Sequence, residues 1–169
     1  INPSVYPKLP FDALKDFAPI THATSGPLLL AVHPSVPAND LKSLLSLARA
    51  RPGELTGASA GSGSIAHLTL ELLNFMAGTK IVHIPYKGAG QALTDLLGGH
   101  VSMYFGNVLG LLPHVRTGKL KGLAVSTHGR STAAPNIPTA AEAGVPGYEA
   151  SSWFGVMAPA GTSRKSFPA

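Results

Sequence analysis

From Leu28 to Val125 the chain alternates short runs of β-forming residues with apolar stripes of helical period, most of them closed by glycine. That alternation leaves few architectures open, because strands separated by helices pair largely in parallel and bury their faces under those helices. Leu28 to Val32 reads as the first strand. Pro34 and Pro37 break the chain behind it, Asn39 stands where a cap belongs, and Leu41, Leu44, Leu45 and Ala48 share one helical face up to Pro52-Gly53. Leu55 to Ala58 and Lys80 to Ile84 read as the next two strands. Between them lies a helix striped by Ile65, Leu68, Leu72 and Phe75 or Met76, with Gly78 where a left-handed C-cap belongs. A further helix carries Ala92, Leu93, Leu96 and Leu97 before Gly98-Gly99. Val101 to Phe105 is then a strand, Asn107 to Arg116 a helix in spite of Pro113, and Leu120 to Val125 the strand that closes the series. The expected fold is α/β, a parallel-rich sheet flanked by helices.

Beyond Val125 the regularity fades. Thr139-Ala140-Ala141-Glu142 carries the T-x-x-E pattern of a capping box and predicts one small helix. Ser151 to Ala158 reads as a last β-type run, and Ser163 to Ala169 carries no periodic pattern.

Two connections in this series have chemical character. Between Leu55 and Leu68 a strand runs through Ser59, Gly61, Ser62, Gly63 and Ser64 into the first turn of a helix. The first N–H groups of a helix have no intrahelical partner and carry the positive end of its dipole, so such a loop offers donors to a carboxylate or phosphate. The device recurs at Pro85-Tyr86-Lys87-Gly88-Ala89-Gly90, where Lys87 adds a cation and the Tyr86 hydroxyl a further polar group. Loops at the carboxyl ends of strands in a doubly wound sheet share one edge. Both are therefore expected to open toward the same side, with Ser59, Gly61, Ser62, Gly63, Ser64, Tyr86, Lys87, Gly88 and Gly90 as the ligand-binding residues.

Other chemistries find less support. The 13 Lys and Arg against 8 Asp and Glu give a net charge of +5, but the basic residues are scattered without a cluster, which points away from nucleic acid. The absence of cysteine excludes disulfides, thiolate metal sites and cysteine nucleophiles. His67 and Glu71, one helical turn apart, lack a second His and a third ligand, so no metal site is expected. No cofactor is expected either: no P-loop string occurs, and Gly88-Ala89-Gly90 is half of a dinucleotide fingerprint, without its third glycine. The longest apolar run, Leu28 to Val32, is far shorter than the roughly 20 residues of a membrane span. An enzymatic alternative rests on Gly57-Ala58-Ser59-Ala60-Gly61, which matches the G-x-S-x-G elbow of serine hydrolases, with Asp95 and His100 or His114 as partners. Against it, Gly61-Ser62-Gly63 intervene where the elbow's helix should begin.

The strings Ala58-Ser59-Ala60-Gly61-Ser62-Gly63-Ser64 with His67-Leu68, Ile84-Pro85-Tyr86-Lys87-Gly88, Asp95-Leu96-Leu97-Gly98-Gly99, Pro138-Thr139-Ala140-Ala141-Glu142-Ala143-Gly144 and Ser152-Trp153-Phe154-Gly155 occur in this order. Together they resemble the Bug family, the TctC-type extracytoplasmic solute receptors of tripartite tricarboxylate transport systems, from Ile1 to about Thr162. The resemblance implies a type II periplasmic-binding-protein-like fold of two lobes that closes on a small organic carboxylate and delivers it to membrane permease subunits. It implies a periplasmic location and no catalysis. It also implies that backbone amides, hydroxyls and ordered waters hold one carboxylate, the matching loops here being Ser59 to Ser64 and Tyr86 to Gly90.

The chain departs from the family at three places. The family's signal peptide and first βα units have no counterpart, its C-terminal helices are not matched after Thr162, and Gly106 stands before Asn107 where the family often has aspartate. The expected organisation is residues 1–27 as part of a first lobe, 28–126 as the second α/β lobe and 127–169 as a truncated return to the first. Apolar faces left uncovered by such a division favour self-association.

Overall fold

The computed structural model describes residues 5, 6 and 8–163. The Ile1-Asn2-Pro3 opening and residues 164–169 of the patternless end lie outside the described residues. Among the described residues these elements follow one another: β1 (Phe17–Val32), α1 (Leu41–Ala50), β2 (Thr56–Ser59), α2 (Ile65–Ala77), β3 (Val82–Pro85), α3 (Ala89–Leu97), β4 (Met103–Asn107), α4 (Val108–Arg116), β5 (Lys121–Val125) and β6 (Ser151–Pro159). The chain divides into two compact units, residues 1–25 with 153–169, and residues 26–152.

In the larger unit the strand order is β3-β2-β4-β1-β5. β2 pairs in parallel with β3 and β4, whereas β1 is antiparallel to both β4 and β5, with Leu30 opposite Phe105 on one side and Ala124 on the other. The sheet is thus parallel-rich with one reversed strand near its middle. Periodicity could not show the reversal, because an apolar run buried on both faces reads the same in either direction. Leu28 to Val32 are at most 2% exposed, and they join Leu41, Leu44, Leu70, Leu73, Leu96, Met103 and Leu111 in a core shared by sheet and helices.

β1 begins 11 residues before the expected strand, at Phe17 rather than Leu28. Its first half belongs to the smaller unit and is mostly exposed, and β6 is the strand that pairs with β1 outside the main order. Gly26 and Pro27 interrupt the β-type pattern and hid the continuity.

Local signals set the helix ends. Asp40, not Asn39, caps α1: its carboxylate accepts the Ser43 N–H at 2.7 Å. Ser64 caps α2, and Gly78 closes it in the left-handed conformation with φ of 62°. The Thr139–Glu142 box forms, with Thr139 N–H donating to Glu142 Oε2 at 2.9 Å and Glu142 N–H to Thr139 Oγ1 at 3.1 Å. The small helix it predicts does not follow. Gly144 at φ of 113° and Pro146 stop the chain after one turn, so a cap exists without a helix behind it.

Residues 127–152 are held to the larger unit. Ser126 Oγ accepts the Leu28 N–H and donates to the Ala150 carbonyl at 2.6 Å. Tyr148, 1% exposed, stacks near Phe105 and donates its hydroxyl to the Thr69 carbonyl on α2 at 2.7 Å. Burial pushes that phenol well above its ordinary range. Tyr148→Phe is expected to lower stability by about 0.5–1.5 kcal/mol, read as a lower urea midpoint at unchanged slope. Among the described residues no helix is long and apolar enough to cross a membrane.

Candidate functional site

β2 and β3 are parallel neighbours whose last residues, Ser59 and Pro85, are partners in register. The loops that follow them therefore leave the sheet side by side. A backbone bond ties them, Tyr86 N–H donating to the Ser59 carbonyl at 3.0 Å. Gly61 lies at this junction with φ of 127°, and a Cβ there would stand 3.3 Å from the Tyr86 carbonyl oxygen, so both conformation and space ask for glycine.

The first loop is organised from within. Ser59 is fully buried. Its Oγ accepts the Gly61 N–H at 3.1 Å, lies 3.0 Å from the Gly61 carbonyl and meets His83 Nε2 at 2.6 Å. Its single proton serves the carbonyl or the ring, according to the imidazole tautomer. Gly63 N–H donates to His67 Nδ1 at 3.0 Å, and Ser64 Oγ accepts from His67 N–H at 3.4 Å. The amides of Gly61 and Gly63 thus shape the loop. At the head of α2 the N–H groups of Ile65 and Ala66 are those that helix geometry leaves without an intrahelical acceptor.

The second loop is simpler. Gly88 precedes α3 in extended backbone, and no side chain caps the helix. Gln91 Oε1 turns back to accept the Lys87 N–H at 3.2 Å. Ala89 and Gly90 are exposed at the helix start, and Lys87 is exposed beside them. Neither α2 nor α3 has an acidic residue in its first turn. Two positive helix ends and one lysine therefore stand on neighbouring loops, an arrangement suited to an anion. The Tyr86 hydroxyl donates to Asp95 Oδ2 at 2.6 Å. Burial, reinforced by Asp95, pushes its pKa up to about 12, so the phenol stays protonated and braces its loop against α3.

The hydrolase constellation does not assemble. The ring beside Ser59 is that of His83, not His100 or His114, and Asp95 is engaged by Tyr86. Ser59 is buried and its Oγ holds the loop together through Gly61. Among the described residues no group of three or more His, Asp or Glu is gathered to hold a metal ion. Position 106 has no room for a side chain: a Cβ would lie 2.5 Å from the Tyr104 ring, which fills that space.

Two histidine contacts that hold the first loop were not legible in the sequence. For His67 the sequence favours a surface or cap-supporting role over a metal ligand shared with Glu71, and its place three residues after the Ser64 cap puts it where a side chain folds back on the preceding loop. His83 carried no signal, since its contact with Ser59 depends on strand register.

Residues 1–167 match the profile of the Tripartite tricarboxylate transporter family receptor. Protein BugT of Bordetella pertussis is 43% identical over 162 residues, 96% of this chain and 50% of that protein. Among solved structures, R. palustris Rpa4515 with adipate superposes with a TM-score of 0.91 at 40% identity, covering 95% of this chain and 54% of that one. MatC (Rpa3494) from Rhodopseudomonas palustris with bound malate gives 0.88 at 32% identity, covering 97% and 56%. The chain spans about half the length of the curated relatives it matches.

Proposed function

The chain belongs to the tripartite tricarboxylate transporter receptor family, and we propose that it serves as one part of a periplasmic solute-binding receptor whose paired loops take a small organic carboxylate. The observation that carries this reading is the pairing of two strand ends, Ser59 and Pro85, whose loops are joined by the Tyr86 N–H to Ser59 carbonyl bond and lead into the N-termini of α2 and α3. Backbone amides recognise the carboxylate itself and demand little of the rest of the molecule. In this reading Ile65, Ala66, Ala89, Gly90 and Gln91 present N–H groups, with Lys87 nearby as a screened cation and the hydroxyls of Ser62 and Ser64 at the rim. Ser59, Gly61 and Gly63 shape the loop, Gly88 brings the chain into α3, and Tyr86 braces its own loop through Asp95. No bond is broken in the ligand. The partners are the membrane permease subunits of the transporter. Residues 26–152 are the α/β lobe that carries these loops, the second lobe of the sequence reading, and residues 1–25 and 153–169 belong to the first.

Two solved relatives, one with adipate and one with bound malate, make dicarboxylates the natural probes. Calorimetric titration of the chain with malate, adipate and uncharged malamide is the test. Saturable heat with the acids, weakened by salt, and none with malamide is expected. Equal binding of malamide, or no heat with either acid, overturns the reading. Labelling of Ser59 by a fluorophosphonate probe would count against it in a different way, by restoring the hydrolase.

A further inference from the structure

His67 on α2 and His83 on β3 lie face to face, their ring centroids 3.8 Å apart and their planes 20° from parallel. Each ring grips a different part of the first loop. His67 Nδ1 accepts the Gly63 N–H at 3.0 Å, while His83 Nε2 meets Ser59 Oγ at 2.6 Å, and Ser59 in turn holds Gly61 through its backbone. Gly61 and Gly63 have φ of 127° and 77°. Glycine visits such conformations among many others, so the contacts that select them decide the shape of the loop. An imidazole nitrogen accepts a hydrogen bond only while it carries no proton. The Gly63 contact therefore exists only for a His67 whose Nδ1 is bare.

We propose that His67 and His83 are positioning residues for the first loop: stacked and neutral they fix its shape, and a proton taken up at His67 Nδ1 displaces Gly63 and loosens it. The proposal rests on the reading of this loop as one wall of a carboxylate site. The groups that face the pair are the Ser59 hydroxyl from β2 and the Glu71 carboxylate from α2, whose Oε1 is 3.8 Å from His67 Nε2. Burial first, and then the neighbouring His67, lowers the pKa of His83, with Glu71 acting in the opposite sense.

The sign of the effect separates this account from simple charge attraction. Added positive charge would strengthen carboxylate binding on acidification, whereas loss of the loop's shape weakens it. A stability consequence runs in the same direction. The folded pKa of His83 lies below the ordinary value of 6.5, so the unfolded chain takes up that proton first. The stability this group contributes is full above that value and fades as pH falls toward the folded pKa.

The test is NMR of the whole chain without ligand, following the Gly61 and Gly63 amides and the imidazole signals from pH about 8 to about 5.5. Both amides are expected to shift in step with one imidazole titration. His67→Asn, which keeps an acceptor near the Nδ1 position and does not titrate, is expected to retain the high-pH signals throughout. His67→Leu is expected to show the low-pH signals at every pH. A Gly63 amide that stays fixed while His67 titrates overturns the proposal, as does a titration of that amide that survives in His67→Asn. Malate titrations of the same samples keep the two readings apart. If no sample binds malate while Gly63 still follows His67, the positioning role stands and the carboxylate reading fails.

Discussion

Replacing Ala89 with proline is expected to weaken malate binding by about ten- to a hundredfold and to leave the fold intact. Ala89 is the first residue of α3, and its N–H has no carbonyl within the helix to bond. Proline is favoured at this position for that reason. The residue before it must be extended, and Gly88 already is, with φ of 177° and ψ of 163°. The substitution therefore removes one donor from an uncapped helix end without disturbing the helix. A hydrogen bond to a charged group contributes about 1.5–3 kcal/mol, which is the stated range of affinity loss. Calorimetry gives the affinity, and an unchanged urea midpoint certifies the fold. Unaltered affinity in a folded variant would place the carboxylate elsewhere.

Leu30→Ala is expected to cost about 2–5 kcal/mol of stability, the range for emptying a well-packed leucine site. Leu30 is 0% exposed near the C-terminal end of β1, between Phe105 of β4 and Ala124 of β5. Because β1 is the reversed strand that joins β5 to the rest of the sheet, a cavity here strikes both pairings together. For a domain whose net stability is about 5–15 kcal/mol, a loss of this size brings unfolding within reach of mild urea. Leu109→Ala is the control. Leu109 on α4 is 78% exposed and should change stability by no more than about 0.5 kcal/mol. Urea unfolding followed by far-ultraviolet circular dichroism measures both. A cost below about 1 kcal/mol for Leu30→Ala would contradict the placement of β1 in the core.

What the sequence revealed of this fold was what local physics encodes. The apolar stripe of α1, Gly78 in its left-handed turn and the unbroken run Leu28 to Val32 each rest on neighbours a few residues apart, as does a serine cap on α2, which the sequence leaves open between Ser62 and Ser64 and the structure places at Ser64. The direction of β1 does not, since it follows from pairing with residues more than 70 positions away. The box at Thr139 shows the converse: a local signal formed as expected, but the chain beyond it could not continue the helix.

The same divide runs through the site. Gly61 and the loop–helix junctions were legible because their residue types answer to backbone conformation and capping. The grip of His83 on Ser59 spans 24 residues and exists only because β2 and β3 pair in one register. Tyr86 illustrates a subtler limit. On sequence grounds its hydroxyl is a candidate ligand contact, whereas the structure gives it to Asp95 on the helix that follows.

The central claim is that backbone amides at two neighbouring helix starts hold a carboxylate. A malate titration followed by amide NMR on the whole chain tests it most directly. The largest downfield shifts are expected together on Ile65, Ala66, Ala89, Gly90 and Gln91, and malamide is expected to leave these signals in place. Malate shifts gathered at any other surface, with the amides at the heads of α2 and α3 unmoved, would contradict it.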